Sequence, residues 1–194
     1  MKHFPLMAAA FEGSLVALAI ALGWLLGTSP LETFRFDPYD ALLAIGATVP
    51  PLALFWLYIK FPLGPLKEIV RLMDETLVPL FRDCRLAQLA VIAALAGLGE
   101  EMLFRGVVQT AASEWIAGPC GPWIGLLAAA VLFGLLHTIT PAYALLAGLI
   151  GLYLGWLWMA TGNLLVPVIV HGLYDFLVLA YLVKIRPGKS LQGA

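Results

Sequence analysis

Six apolar blocks, most of them near or above the length that crosses a bilayer, dominate this chain and leave it few folds to choose from. They run from about Pro5 to Leu26, Asp40 to Ile59, Leu86 to Thr110, Trp123 to Ile139, Ala142 to Met159 and Leu164 to Val183. A helix needs about 20 apolar residues to span the hydrocarbon core. Of the 194 residues, 62% are hydrophobic and only 12% charged, and the mean hydropathy is +0.95. A soluble domain carries about twice that charged fraction. In lipid every backbone N–H and C=O must be satisfied within the structure, so only helices or closed barrels cross, and these blocks have helix length. The expectation is an all-α integral membrane protein. It is a bundle of about six transmembrane helices with an amphipathic interfacial helix before the third span. All of residues 1–194 form one polytopic domain, with a core of interest at about 86–183. A net charge of −1 gives a nucleic-acid partner no support.

The first block continues unbroken to Gly27-Thr28-Ser29-Pro30 and lacks the short core and small-x-small site of a signal peptide, so it reads as an uncleaved span. Its one acid, Glu12, is expected near the cytoplasmic interface, where the carboxylate reaches water. Pro50-Pro51 should kink the second span. Residues 60–85 are the only strongly charged stretch. Leu66, Ile69, Val70, Met73 and Leu77 recur there at helical spacing, with Lys67, Glu68, Arg71, Asp74 and Glu75 between them. That pattern is an amphipathic helix in the interface, or a solvated connector. Ala147, Gly151 and Gly155 give the fifth span a small-xxx-small stripe for close packing. Cys84 and Cys120 are far apart and read as structural thiols. Lys2, the cluster Lys60, Lys67, Arg71, Arg82 and Arg85, and the tail's Lys184, Arg186 and Lys189 alternate with loops holding only Arg35. By the positive-inside rule both termini are cytoplasmic. The small size suggests a prokaryotic inner membrane.

Ionisable residues deep in such spans cost about 2.5–3.5 kcal/mol each when charged and are retained for a use. Beyond the first span they are Glu100, Glu101 and Arg105 in the third, His137 in the fourth, and His171 and Asp175 in the sixth. Glu101 and Arg105 stand at i,i+4 with the acid N-terminal, the better order for an ion pair. They read as a structural pair that neutralises itself. Glu100 is rotated by about 100° from Glu101 and has no cation of its own on the helix, which suits general-base work. His171 and Asp175 share a helix face, where a carboxylate can orient the imidazole. At 1.5 Å per residue, Glu100 lies about 21 Å along its span from the cytoplasmic end and His171 about 10 Å along its own from the opposite end. In a core about 30 Å thick these depths agree. His137 counts nearer the cytoplasmic side, so the turn at Thr140-Pro141 is expected to sink into the protein within the bilayer.

Three ordered motifs carry a resemblance. Glu100-Glu101-Met102-Leu103-Phe104-Arg105 fits E-E-x-x-x-R, Phe133-Gly134-Leu135-Leu136-His137 fits F-x-x-x-H, and His171-Gly172-Leu173-Tyr174-Asp175 fits H-x-x-x-N/D. Over roughly Leu86–Asp175 the chain resembles the CAAX-protease and bacteriocin-processing family of intramembrane proteases. The resemblance implies a helical bundle with its site in the membrane and hydrolysis of a peptide bond in a membrane-associated substrate: a C-terminal tail, a prenylated protein or a leader peptide. It further implies that Glu100 activates the attacking water, that His137 helps position it, and that His171 and Asp175 bind the developing oxyanion. Glu101, Arg105 and Phe133 support them. An ionised Asp175 has no hydrogen to donate, so it is either protonated or orients His171 while His171 donates.

The family is often labelled metalloprotease, and Glu100, His137 and His171 could hold zinc with a position left for water. Glu100 lacks an H-E-x-x-H setting, which favours a metal-free glutamate mechanism. There is no G-x-S-x-G either, and one deep aspartate makes no aspartyl dyad. The competing readings are an ion-coupled transporter, since buried Glu and His serve ion relays, and a non-catalytic scaffold or immunity protein of the same fold. No internal repeat of the kind transporters carry is visible.

Overall fold

A computed structural model of the chain describes residues 3–116 and 118–186, and among these it contains helices and no strand. Seven helical elements follow in order: α1 Phe4–Leu26, α2 Pro38–Lys60, α3 at residues 66–81, α4 Leu86–Trp115, α5 Gly121–Leu136, α6 Pro141–Thr161 and α7 Leu165–Ile185. Among the described residues α1, α2, α4, α6 and α7 are long and apolar enough to cross a membrane. The sixth expected span, α5, is apolar but has only 16 residues, about 24 Å of helix. Lys2 and Lys189, two of the residues behind the expected orientation, lie outside the described residues.

Local chemistry sets the helix ends. Asp37 Oδ1 accepts from the Tyr39 and Asp40 amides at 2.7 and 3.3 Å, and Pro38 follows at a position where no donor is needed. α1 and α6 stop at Gly27 and Gly162, both left-handed, with φ of 74° and 59°. α2 is interrupted at Thr48, between Pro38–Ala47 and Val49–Lys60. Pro50 and Pro51 supply no amide to the preceding turn, which is the reason for the break.

α3 is packed against the bundle, which distinguishes it from a solvated connector. Ile69 and Met73 are buried with Phe55, Tyr58, Leu146, Val178 and Leu182 from α2, α6 and α7, while Lys67, Glu68, Arg71 and Glu75 stay exposed. At its middle, Asp74 Oδ2 accepts from Arg186 Nη2 at 3.2 Å.

α4 is the central element, and its second half widens. Residues Met102–Gln109 form a π-helix, a rare conformation that concentrates at functional sites. On one side α1 lies close against α4. A Cβ at Gly99 would stand 2.7 Å from the Glu12 carbonyl oxygen and 2.9 Å from Leu15 Cβ, so glycine is what lets the two backbones meet. On the other side the small-residue stripe of α6 receives α4's polar side chains. Arg105 Nη2 donates to Gly151 O at 2.9 Å, and Gln109 Nε2 donates to Gly155 O at 3.2 Å.

Candidate active site

Adjacent positions on α4 have opposite surroundings. Glu101 and Arg105 are fully buried, and Arg105 Nη1 donates to Glu101 Oε1 at 2.7 Å. The guanidinium carbon lies 4.9 Å from the Phe133 ring centroid, within cation–π range. This pair is not self-contained, as the i,i+4 spacing alone suggested. Glu101 Oε1 also lies 2.7 Å from His171 Nδ1. A carboxylate only accepts, so Nδ1–H donates to it and Nε2 turns to the other side. There Asp175 Oδ2 stands at 3.5 Å. The orienting contact on His171 is therefore Glu101, from a different helix, and Asp175 sits beside the opposite nitrogen.

His137 caps the C-terminal end of α5. Its Nδ1 lies 2.8 Å from Phe133 O. A carbonyl also only accepts, so this nitrogen carries the hydrogen and the lone pair is on Nε2, which faces Glu100 Oε2 at 3.7 Å. The Phe133 ring stacks on His137 with centroids 4.3 Å apart and meets His171 edge-on at 6.1 Å. Phe133 thus holds both imidazoles and the Arg105 guanidinium. Because α5 ends at Leu136, the turn that follows lies beside the middle of α4, level with Glu100.

These groups open onto one cavity of about 290 Å³, whose polar lining includes Glu12, Glu100, His137, Tyr143, His171 and Asp175. The structure thereby brings together Glu100, His137, His171 and Asp175 from three helices. Glu101 and Arg105 lie behind them, out of the cavity. Glu12 adds to the sequence reading. It is part of the cavity wall beside Glu100, because Gly99 admits α1 at that level. Its only sequence signal was being the one ionisable residue within α1. Tyr143 was missed as well and carried no signal. Among the described residues, Glu12 Oε2 and Glu100 Oε2 are buried without a hydrogen-bond partner.

Zinc on Glu100, His137 and His171 would require three ligand atoms about 2.0–2.2 Å from one point. Among the described residues no three His, Cys, Asp or Glu side chains are grouped in that way, and His171 is directed to Glu101 and Asp175. The side chains as they stand do not fit the ion.

The fold and site together define an all-helical bundle of membrane-protein character with one apolar-walled cavity that gathers carboxylates and two held histidines. Comparison with family models makes the class specific. Residues 83–177 match the Rce1-like family, described as type II CAAX prenyl endopeptidase Rce1-like. That match, over just under half of the chain, is consistent with the family its motifs resemble and supports an intramembrane protease kind. Neither a curated protein nor a solved structure matches the chain.

Proposed function

We propose that the protein is an intramembrane endopeptidase in which Glu100 is the general base, cleaving a peptide bond of a membrane-anchored protein or peptide close to its anchor. The observation that carries this reading is the facing pair of acceptors, Glu100 Oε2 and His137 Nε2, 3.7 Å apart. Neither can donate to the other while Glu100 is ionised and Phe133 O holds the imidazole tautomer. A water between them donates a hydrogen to each and is left with a lone pair for a substrate carbonyl carbon. Glu100 takes the proton as the oxygen attacks. His171 stands across the cavity with Nδ1–H anchored on Glu101. A hydrogen on Nε2, kept there by Asp175, is donated as a hydrogen bond to the developing oxyanion and stays on the imidazole. Glu101 and Arg105 keep His171 in position. This assigns Asp175 to orienting rather than donating. The alternation of basic loops supports cytoplasmic termini.

The test is cleavage of a membrane-tethered peptide by purified protein in liposomes. Glu100→Gln is expected to slow cleavage by about 10²–10⁴-fold, the range for losing a positioned base, with its thermal unfolding unchanged. Full activity in that variant overturns the general-base role. Chelator treatment is expected to leave the rate unchanged. Loss of stoichiometric zinc together with activity would replace this mechanism by a metal-dependent one.

A further inference from the structure

We infer that Glu12, on the helix outside the family-matched residues, is the acid that protonates the leaving amine. The inference rests on Glu100 being the base for the same reaction. Glu12 is the only ionisable side chain of α1, and it lines the catalytic cavity. Its Oε2 is buried and, among the described residues, has no partner, as is also true of Glu100 Oε2. The other titratable groups facing that cavity are Glu100 from α4, His137 from α5, Tyr143 from α6, His171, Tyr174 and Asp175 from α7, and Tyr58 from α2. Arg105 is not among them, because it is committed to Glu101 and Gly151. Among the described residues the cation facing the cavity is His171, and it is matched by Glu101 and Asp175 on its two nitrogens, which leaves Glu12 and Glu100 without a cation of their own. Two carboxyls that share an apolar site are held as one acid and one base, since both charged would repel without screening. Peptide hydrolysis needs one of each.

His137 Nε2 faces Glu100, and Asp175 sits against His171. Glu12 is the carboxyl left over. Its place beside α4 is fixed by the close approach at Gly99.

Water oxygen bonds to the carbonyl carbon, and its proton goes to Glu100. As the C–N bond breaks, the electron pair stays on nitrogen, which takes the proton of Glu12. Glu12 is left as a carboxylate and Glu100 as an acid. A proton passed from Glu100 to Glu12 through cavity water restores the starting state. Net, one water and one amide become one acid and one amine.

The leaving group provides the test. A thiolate leaves without a proton; an amine does not. The same membrane-tethered sequence is prepared with the scissile bond as an amide and as a thioester. Glu12→Gln is expected to slow amide cleavage by about a hundredfold and to cleave the thioester at close to the wild-type rate. Glu100→Gln slows both. Equal slowing of both substrates by Glu12→Gln gives Glu12 a merely structural role and overturns the inference, as does no change in either. If Glu100→Gln cleaves the amide normally, the general-base reading falls instead. Should Glu12→Gln fail to fold, Glu12→Asp is read by the same ratio. Its shorter arm withdraws the acid, so amide cleavage drops more than thioester cleavage; an unchanged ratio again overturns the assignment.

Discussion

Two buried polar centres in this bundle differ in how completely they are bonded. At the turn between α6 and α7, Asn163 is fully buried and knits three backbone segments. Its Oδ1 accepts from the Arg35 and Leu165 amides at 3.0 and 3.1 Å, and its Nδ2 donates to Arg35 O at 2.9 Å and Asp40 Oδ2 at 2.8 Å. Every hydrogen-bonding atom of that side chain is used. In the cavity, Glu12 and Glu100, and behind them Glu101, each keep an Oε2 without a partner among the described residues. Buried groups are normally satisfied, and those that are not require a reason. A saturated centre is complete as it stands and contributes to the fold. An unsaturated one has bonding capacity left for a water and a substrate. The two kinds of centre should therefore respond differently to substitution.

The largest stability effect is expected where the two kinds of bonding meet, at Arg105. Arg105→Met removes the cation from a fully buried carboxylate, and breaking a buried pair in this way costs about 3–5 kcal/mol. Thermal unfolding in detergent should drop sharply. Glu101→Gln combined with Arg105→Met removes both charges and should recover most of the loss, while the side-chain amide oxygen that Glu101→Gln introduces can still accept from His171. If the double variant is no more stable than Arg105→Met alone, the loss comes from packing against Phe133 and not from the stranded charge.

How much of this arrangement was legible in the sequence depended on the range of the interaction concerned. The spans follow from hydropathy, which is a local property, and the break in α2 follows from Pro50-Pro51. The α4 ion pair follows from i,i+4 spacing. The second bond at Glu101 does not, because its partner His171 comes from a helix 70 residues away that the helical repeat of α4 cannot foresee. The C-terminal end of α5 falls three residues before the expected Ile139 because the apolar run continues past the last helical turn; hydropathy reports solvent preference and not where hydrogen bonding stops. The part Glu12 takes in the cavity was not legible for a related reason. Its depth could be counted, but the face it presents depends on Gly99 allowing α1 to close on α4. The ordered motifs located Glu100, His137, His171 and Asp175, and the structure adds which atom of each faces which.

At the saturated centre the expected effect is smaller and confined to stability. Asn163→Ala strands the Arg35 and Leu165 amides and leaves Asp40 without its donor. Leaving buried groups unpaired costs about 1–3 kcal/mol. The unfolding temperature should fall, while cleavage measured well below it keeps its kcat and KM. A change in kcat would mean that the clamp reaches the cavity and that the contrast between the two centres is too sharply drawn.

The smallest effect belongs to Asp37, the exposed cap that starts α2. Asp37→Ala should cost about 1 kcal/mol, the usual value for an N-cap, again with no change in activity. Its use lies in combination. Asp37 and Asn163 fix the same segment, one by holding the Tyr39 and Asp40 amides and the other by holding Arg35 and the Asp40 carboxylate. Contacts that order one segment do not add. Once Asn163 is truncated the segment frays, and the cap has less structure left to hold. The double variant should therefore lose less than the two single losses combined. Strict additivity would show that α2 begins at its cap independently of the clamp, so that the saturated centre consists of two separate devices and not one.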